Sequence, residues 1–188
     1  MSAAAVVLAA GAGRRQGGPS HKLTTPIRGK PLLSWAVEAA LGASLTETVV
    51  VVGASHTEIE ALLPGGLSVL VNPGWRTGMA SSLQVALAHL EPLGVEAMVV
   101  GLGDQPFVTA EAWRRLAEYR DRPVGVATYG AQRGHPVRLA REVWPRVPTE
   151  GDEGMRTVMR FSPDLVGEVP CPGNGVDIDT TEDFDRWS

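Results

Sequence analysis

A mostly parallel β-sheet with helices on both faces is the fold class predicted for this chain, and three observations predict it. Continuous apolar runs recur at residues 3–9, 48–52, 67–71, 95–102 and 124–127, and a strand buried on both faces reads as such a run, without alternation. Segments with helical spacing lie between the first four runs and again before the fifth. The first run breaks into Gly11-Ala12-Gly13, a strand end at which backbone N–H groups can approach a ligand at the carboxyl edge of an open α/β sheet.

Taken in order, the first strand and its glycine loop lead to a helix opened by Pro31, with Leu32, Leu33, Ala36, Val37, Ala40 and Leu41 on one face. Thr48 to Val52 is the second strand. Ser55-His56-Thr57-Glu58 has the form of a capping box and predicts a short helix to Leu63, ended by Pro64-Gly65-Gly66. The third strand, Leu67 to Val71, enters the loop Asn72 to Gly78, and Met79, Leu83, Leu87 and Leu90 then mark a helix. Val95 to Leu102 is the fourth strand and runs into Gly103-Asp104-Gln105-Pro106. Thr109 caps a helix reaching about Arg120, and Val124 to Ala127 is the fifth strand. Beyond Gly130 the signals shorten. Gln132 to Pro136 and Gly151 to Gly154 are expected as loops around a weak helix, Val176 to Ile178 as a brief strand, and the last helix includes Phe184 and Trp187. Alternating strands and helices imply a sheet covered on both sides by right-handed crossovers.

Bulk properties narrow the classes. At 188 residues and 44% hydrophobic, the chain suits one domain with a full core. A net charge of −4 with no basic run argues against nucleic acid. Cys171, the single cysteine, excludes an intrachain disulfide and sits between two prolines as an inert thiol. The apolar stretch at Ala3 to Ala10 lacks a basic leading region and is too short for a signal peptide, and no segment approaches the ~18 apolar residues that span a bilayer. The expectation is a soluble, cytoplasmic protein with no membrane partner.

The glycine loop belongs to neither of two familiar phosphate motifs. Gly13 is followed by Gly18-Pro19, with Lys22 too far on for a Walker A loop. Gly11, Gly13 and Gly17 are spaced G-x-G-x-x-x-G, and the second strand ends without an acid, which disfavours a nicotinamide or flavin. Oriented amides followed by cations still make a concavity for phosphate. Asp104 ends an uncharged strand at the ligand-binding edge of the sheet, a position suited to holding magnesium, which takes one or two carboxylates with substrate phosphates. Asp177 and Asp179 are candidates for the second carboxylate, and residues two apart in a strand face the same side, so spacing does not separate them. Amides and hydroxyls around Asn72, Gly78, Ser81 and Ser82 at a helix start suit a base, ribose or phosphate. Trp75 lies in the same loop and could stack on a ring.

Several segments together resemble the MobA-like nucleotidyltransferases, most closely the MocA-type molybdenum cofactor cytidylyltransferases. They are Leu8-Ala9-Ala10-Gly11-Ala12-Gly13-Arg14-Arg15 with Lys22, Gly29-Lys30-Pro31-Leu32-Leu33, Asn72-Pro73 with Gly78-Met79-Ala80-Ser81-Ser82-Leu83, Gly103-Asp104-Gln105-Pro106, Gly134-His135-Pro136 and Asp177-Ile178-Asp179-Thr180. They keep the family's order along nearly the whole chain. Gln16 and two extra residues before Lys22 depart from the family loop.

The resemblance implies a single-domain, three-layer Rossmann-like nucleotidyltransferase fold, with a nucleotide-binding half at about 1–105 and an acceptor-binding half at about 106–188. It implies transfer of CMP from MgCTP to the terminal phosphate of a molybdopterin-type cofactor, with pyrophosphate released and a molybdenum hydroxylase as a recipient of the product. Arg15, Lys22 and Asp104 are the implied catalytic residues. Leu8, Ala9, Ala10, Gly11, Ala12, Gly13, Asn72, Gly78 and Ser82 would hold the nucleotide. Ser81, Gln105, His135 and Arg156 would hold the acceptor, and Asp104 with Asp179, favoured over Asp177 by the resemblance alone, would bind Mg2+. Ala10 favours CTP, since Leu-Ala-Ala-Gly accompanies cytosine in the family and Leu-Ala-Gly-Gly guanine. Use of GTP, another phosphorylated acceptor, or a non-catalytic cofactor carrier are the alternative readings.

Overall fold

A computed structural model describes residues 2–13 and 21–187. The predicted Arg15 lies outside the described residues. Strand β1 (Ala3–Ala9) is followed, after the glycine loop, by the hairpin β2 (Pro26–Ile27) and β3 (Lys30–Pro31), then α1 (Leu32–Gly42) and β4 (Glu47–Val52). Next come α2 (His56–Glu60), β5 (Ser68–Val71), α3 (Met79–Leu90), β6 (Ala97–Leu102), α4 (Ala110–Glu118) and β7 (Val124–Tyr129). The chain closes with β8 (Gln132–Ala140), α5 (Arg156–Phe161), β9 (Val166–Pro170) and α6 (Thr181–Trp187).

Seven of these strands form one sheet in the order β5-β4-β1-β6-β8-β7-β9. β1 pairs in parallel with both β4 and β6, and β4 with β5. β8 runs antiparallel to its neighbours β6 and β7, while β7 and β9 are parallel. The fold is thus an α/β sheet that is parallel except at β8. Its two faces bury separate cores, because successive side chains of a strand point to opposite sides. Ala3, Ala5, Val7 and Ala9 face α1, α4 and α6, through residues such as Leu33, Trp113 and Phe184. Ala4 and Val6 face α3 and the 3-10 turn of Arg141–Arg146, through Leu83, Leu90 and Trp144. Leu32, Leu33 and Leu90 are fully buried, each contributing roughly 1.5–3 kcal/mol by removal from water.

The local signals are met at Thr109, whose hydroxyl accepts the Ala112 N–H at the start of α4. Four expectations are corrected. Ser55 adopts left-handed backbone (φ 56) and its side chain makes no capping hydrogen bond, so the capping box is not formed and α2 stops at Glu60. Gln132 to Pro136 is not a loop but the first half of β8. Pro136 has no N–H to give a ladder, and the irregularity between Val126 and Ala127 in the β7–β8 pairing lets His135 and Pro136 pass without breaking the strand. Val176 to Ile178 forms no strand and joins no ladder. The strand in this region is β9, whose Val166–Pro170 sequence carries a glycine and a glutamate that weakened its apolar signal.

Candidate active site

The carboxyl ends of β1 and β6 lie side by side at the place where the chain crosses to opposite sides of β1, first to β4 and later to β6. Ligands of open α/β sheets bind in the crevice at such a reversal. β1 delivers Ala10 and Gly11 there, and β6 delivers Asp104. A cleft of about 250 Å³ opens between them, bordered by Leu8, Ala10, Gly11, Gly78, Ser82 and Asp104, with Trp75 and Asp152 at its edge. Ala9 turns its methyl to the opposite face of the sheet, where it is buried.

The glycine turn is closed by a histidine, His21. The His21 ring accepts the Leu23 N–H at Nδ1 (3.2 Å), so its Nε2 carries the proton and donates to the Gly11 carbonyl at 3.0 Å. The Lys22 N–H donates to the Gly13 carbonyl at 2.7 Å. Both bonds use the carbonyls of the turn, not its N–H groups. Gly13 has φ +52, and a Cβ there would sit 2.5 Å from His21 Nε2. Only glycine fits beside this clasp.

From the clasp, Lys22 extends to the end of β6. Its ammonium donates to Asp104 Oδ2 at 2.7 Å and to Asp179 Oδ1 at 2.5 Å. Burial disfavours the charge, but the two carboxylates outweigh it and hold the ammonium pKa above its ordinary 10.5. The second oxygen of Asp104, Oδ1, is buried and has no hydrogen-bond partner among the described residues.

Asp179 arrives by a strap, residues 173–179, laid along the segment after β6. Its main chain is fastened by the Asn174 N–H to the Phe107 carbonyl (3.1 Å) and by the Ile178 N–H to the Asp104 carbonyl (3.0 Å). Beneath it, buried Gln105 donates to the Gly175 carbonyl (3.0 Å) and to Asp177 Oδ1 (2.8 Å). Asp177 is therefore taken up by Gln105, and its carboxyl is held above the ordinary 3.8, first by burial and then by the charge of Asp104. Asp183 caps α6, accepting from the N–H groups of Asp179 (3.1 Å) and Thr180 (2.9 Å). Spacing left Asp177 and Asp179 equivalent; in the folded chain they face different partners.

Asn72 is buried behind the cleft and its amide is fully engaged. It donates to Ser81 Oγ and Ser82 Oγ, both at 2.9 Å, and accepts the Gly74 N–H at 2.9 Å. Ser81 in turn donates to the carbonyls of Gly78 and Gly74. These groups shape the loop before α3, and of them Gly78 and Ser82 border the cleft. Trp75 stands at the cleft edge with the Arg76 guanidinium 4.5 Å from its ring centre.

A second cleft, of about 430 Å³, adjoins the first across Met79, which borders both. Its floor is apolar, with Val100, Val126, Leu139 and Met155, and its rim carries Arg133, Arg156, Arg160 and Glu153; Glu153 pairs with Arg160, and Arg133 with Glu168. His135 lines it, its pKa lowered to about 4 first by burial and then by Arg156, so the imidazole is neutral at pH 7. Of the four predicted acceptor residues, His135 and Arg156 meet here, whereas Ser81 serves the Asn72 network and Gln105 the strap. The sequence does not single out Arg133, Met155 and Arg160, because it predicts a loop where β8 lies and α5 is too short to show a periodicity. The Cys171 thiol, away from both clefts, is pushed up to about 11 by burial.

Chemically, the first cleft offers the glycine turn and Asp104, and joined to Asp104 are the Lys22 ammonium and the second carboxylate, Asp179. Among the described residues no group of three or more His, Cys, Asp or Glu side chains forms a metal cage. The two carboxylate oxygens that converge on Lys22, with the unpartnered second oxygen of Asp104 beside them, suit a hard divalent ion whose remaining ligands come from a substrate. No helix among the described residues is long and apolar enough to cross a membrane.

Known proteins share both the fold and the sequence. The chain is 29% identical to Rv0371c from Mycobacterium tuberculosis H37Rv, with a TM-score of 0.83 and coverage of 98% of this chain and 96% of that one. The same protein has been solved in complex with manganese. A nucleotidyl transferase from Methanothermobacter thermautotroptrophicus superimposes with a TM-score of 0.82 at 25% identity, covering 98% and 95% of the two chains. By sequence, the chain is 26% identical to the purine catabolism protein PucB of Bacillus subtilis over 96% of its own length and 93% of that protein's. It is 34% identical to the bifunctional protein GlmU of Cutibacterium acnes over 74% of its length, but spans about a third of GlmU (34%). The model of the MobA-like NTP transferase domain matches residues 5–166, most of the sheet and both clefts, and the chain belongs to that family.

Proposed function

We propose that this protein transfers CMP from a metal-bound CTP to the terminal phosphate of a molybdopterin-type cofactor. The observation that carries the reading is the pair of adjoining clefts: one lined by Gly11 and Asp104, with Lys22 and Asp179 joined to Asp104, the other with an apolar floor and a rim of three arginines and Glu153, sharing Met79. The first suits a nucleoside triphosphate. The second suits a flat, phosphorylated heterocycle, whose ring would lie on Val100, Val126 and Met155 while its phosphate meets Arg133 or Arg156.

In the reaction an oxygen of the acceptor phosphate forms a bond to the α-phosphorus of CTP, and the bond from that phosphorus to the bridging oxygen breaks. Pyrophosphate leaves with the electron pair. The acceptor oxygen is already ionised at neutral pH, so the protein has no proton to remove. What it supplies is alignment and charge. The amides of Gly11, Ala12 and Gly13 would face phosphate oxygens, and Lys22 and Arg15 would neutralise charge gathering on the leaving group. A divalent ion, magnesium or manganese, would be held by Asp104 and Asp179 and would withdraw electron density from the phosphates. Asp104 Oδ2 and Asp179 Oδ1, which converge on the Lys22 ammonium, are the oxygens that would face such an ion.

The test is direct. Purified protein with Mg2+, each NTP in turn and the pterin acceptor should release pyrophosphate with CTP. Release with GTP alone would overturn the base assignment, and tight binding of CTP or pterin with no release would favour a cofactor carrier. Asp104→Asn should lower turnover by about 10²-fold or more while the protein stays folded; unchanged turnover would remove the carboxylate from the mechanism.

A further inference from the structure

We infer that Lys22 is a built-in counter-cation that keeps free metal out of the two-carboxylate site and yields it only when a triphosphate arrives. The inference rests on the proposed roles of Asp104 and Asp179, and goes beyond them to the order in which ligands bind. The Lys22 ammonium lies 2.7 Å from Asp104 Oδ2 and 2.5 Å from Asp179 Oδ1. A hard divalent ion binds oxygen at about 2.0–2.6 Å. It would have to occupy nearly the same point, so at these two oxygens ammonium and metal exclude each other.

The competition is built to be firm. The Lys22 side chain is 14% exposed and that of Asp104 22%, so water does little to screen that pair, whereas Asp179, 62% exposed, is the screened and weaker partner. The lysine backbone is fixed by its N–H on the Gly13 carbonyl and by its own carbonyl, which accepts the Thr25 N–H at 3.2 Å. Its next residue on the amino side is the His21 clasp. The ammonium is thus presented from a rigid base on a flexible four-carbon stem.

Expelling it without a new partner would leave a buried cation unpaired, which is costly. A triphosphate bound at Gly11 to Gly13 changes that balance. It gives the ammonium an anion to move to, and it brings ligands that complete the coordination of the ion. Metal and nucleotide should therefore each raise the affinity for the other by the same factor, as any such coupling is reciprocal. The carboxylates, meanwhile, stay converged in the metal-free protein, because the ammonium stands in for the ion.

The experiment measures binding, not turnover. Mn2+ alone is titrated into the wild-type protein and into Lys22→Met, followed by electron paramagnetic resonance of the free ion. Removing the ammonium should tighten Mn2+ alone by tenfold or more, while weakening a non-hydrolysable CTP analogue measured in EDTA. A lysine that merely supports the site would give the reverse for Mn2+, and unchanged or weaker binding in Lys22→Met overturns the inference.

Folding of the variant is checked by circular dichroism, and the wild-type protein supplies an independent arm. Its affinity for the CTP analogue should rise at least tenfold between EDTA and saturating Mn2+, and no rise overturns the coupling. Asp104→Asn separates the two failures. If this variant binds Mn2+ like the wild type in the presence of the analogue, the two-carboxylate metal reading falls. If it loses Mn2+ but Lys22→Met gains none, only the counter-cation role of Lys22 falls.

Discussion

At the scale of single residues, the site depends on side chains whose importance shows only in three dimensions. Gly13 is constrained twice, by its left-handed backbone and by the His21 ring that fills the space a Cβ would need. Gly13→Ala should cost about 1–3 kcal/mol of stability and weaken nucleotide binding, read by thermal denaturation and by titration with a CTP analogue; a variant with wild-type values in both would separate the clasp from the turn. The glycines and Asp104 were legible in the sequence, since each follows an apolar strand at the ligand edge of the sheet. His21 was not. A lone histidine in a loop carries no periodicity and no motif, and its role comes from a turn that returns it to Gly11, ten residues back.

At the scale of elements, the two clefts are mechanically joined. The loop before α3 and the turn at residue 151 are tied by the Ala80 N–H to the Gly151 carbonyl (3.0 Å) and by the Gly151 N–H to the Thr77 carbonyl (2.9 Å). Gly78 lies between these bonds with φ +107, and a Cβ there would fall 2.5 Å from the Gly151 carbonyl oxygen. Backbone cannot step aside as a side chain can. Gly78→Ala should therefore raise KM for nucleotide and acceptor together, each severalfold, in steady-state assays varying one substrate at a time; a rise for the nucleotide alone would show that the clefts are independent. Most helices and strands up to residue 130 were legible because buried parallel strands read as continuous apolar runs and amphipathic helices repeat with a fixed period, whereas the two-residue strands β2 and β3 are too short to show either. β8 escaped because Gly134 and Pro136 are turn residues by composition, and only the bulge opposite Ala127 lets a strand carry them. Ser55 failed in the opposite way. Its motif was present, but a left-handed backbone turned the hydroxyl from the helix it was expected to cap.

At the scale of the whole molecule, the second cleft makes stability depend on acidity. The unfolded chain takes up a proton at His135 near the ordinary 6.5, whereas the folded protein resists until about 4. Stability from this group is complete above about 6.5 and is lost as pH falls toward 4, at a slope of up to about 1.4 kcal/mol per pH unit. Denaturant unfolding of the wild type and of His135→Asn should diverge in that window, the wild type losing more on acidification; parallel curves would show that His135 does not titrate out of step with folding. The strap at residues 173–179 has a different kind of consequence. Its register on the segment after β6 is held largely by peptide groups, such as Ile178 on the Asp104 carbonyl, which every amino acid except proline supplies equally. Substitutions among the strap's outward side chains, proline at a bonded position excepted, therefore leave the carboxylate it delivers at its address beside Asp104.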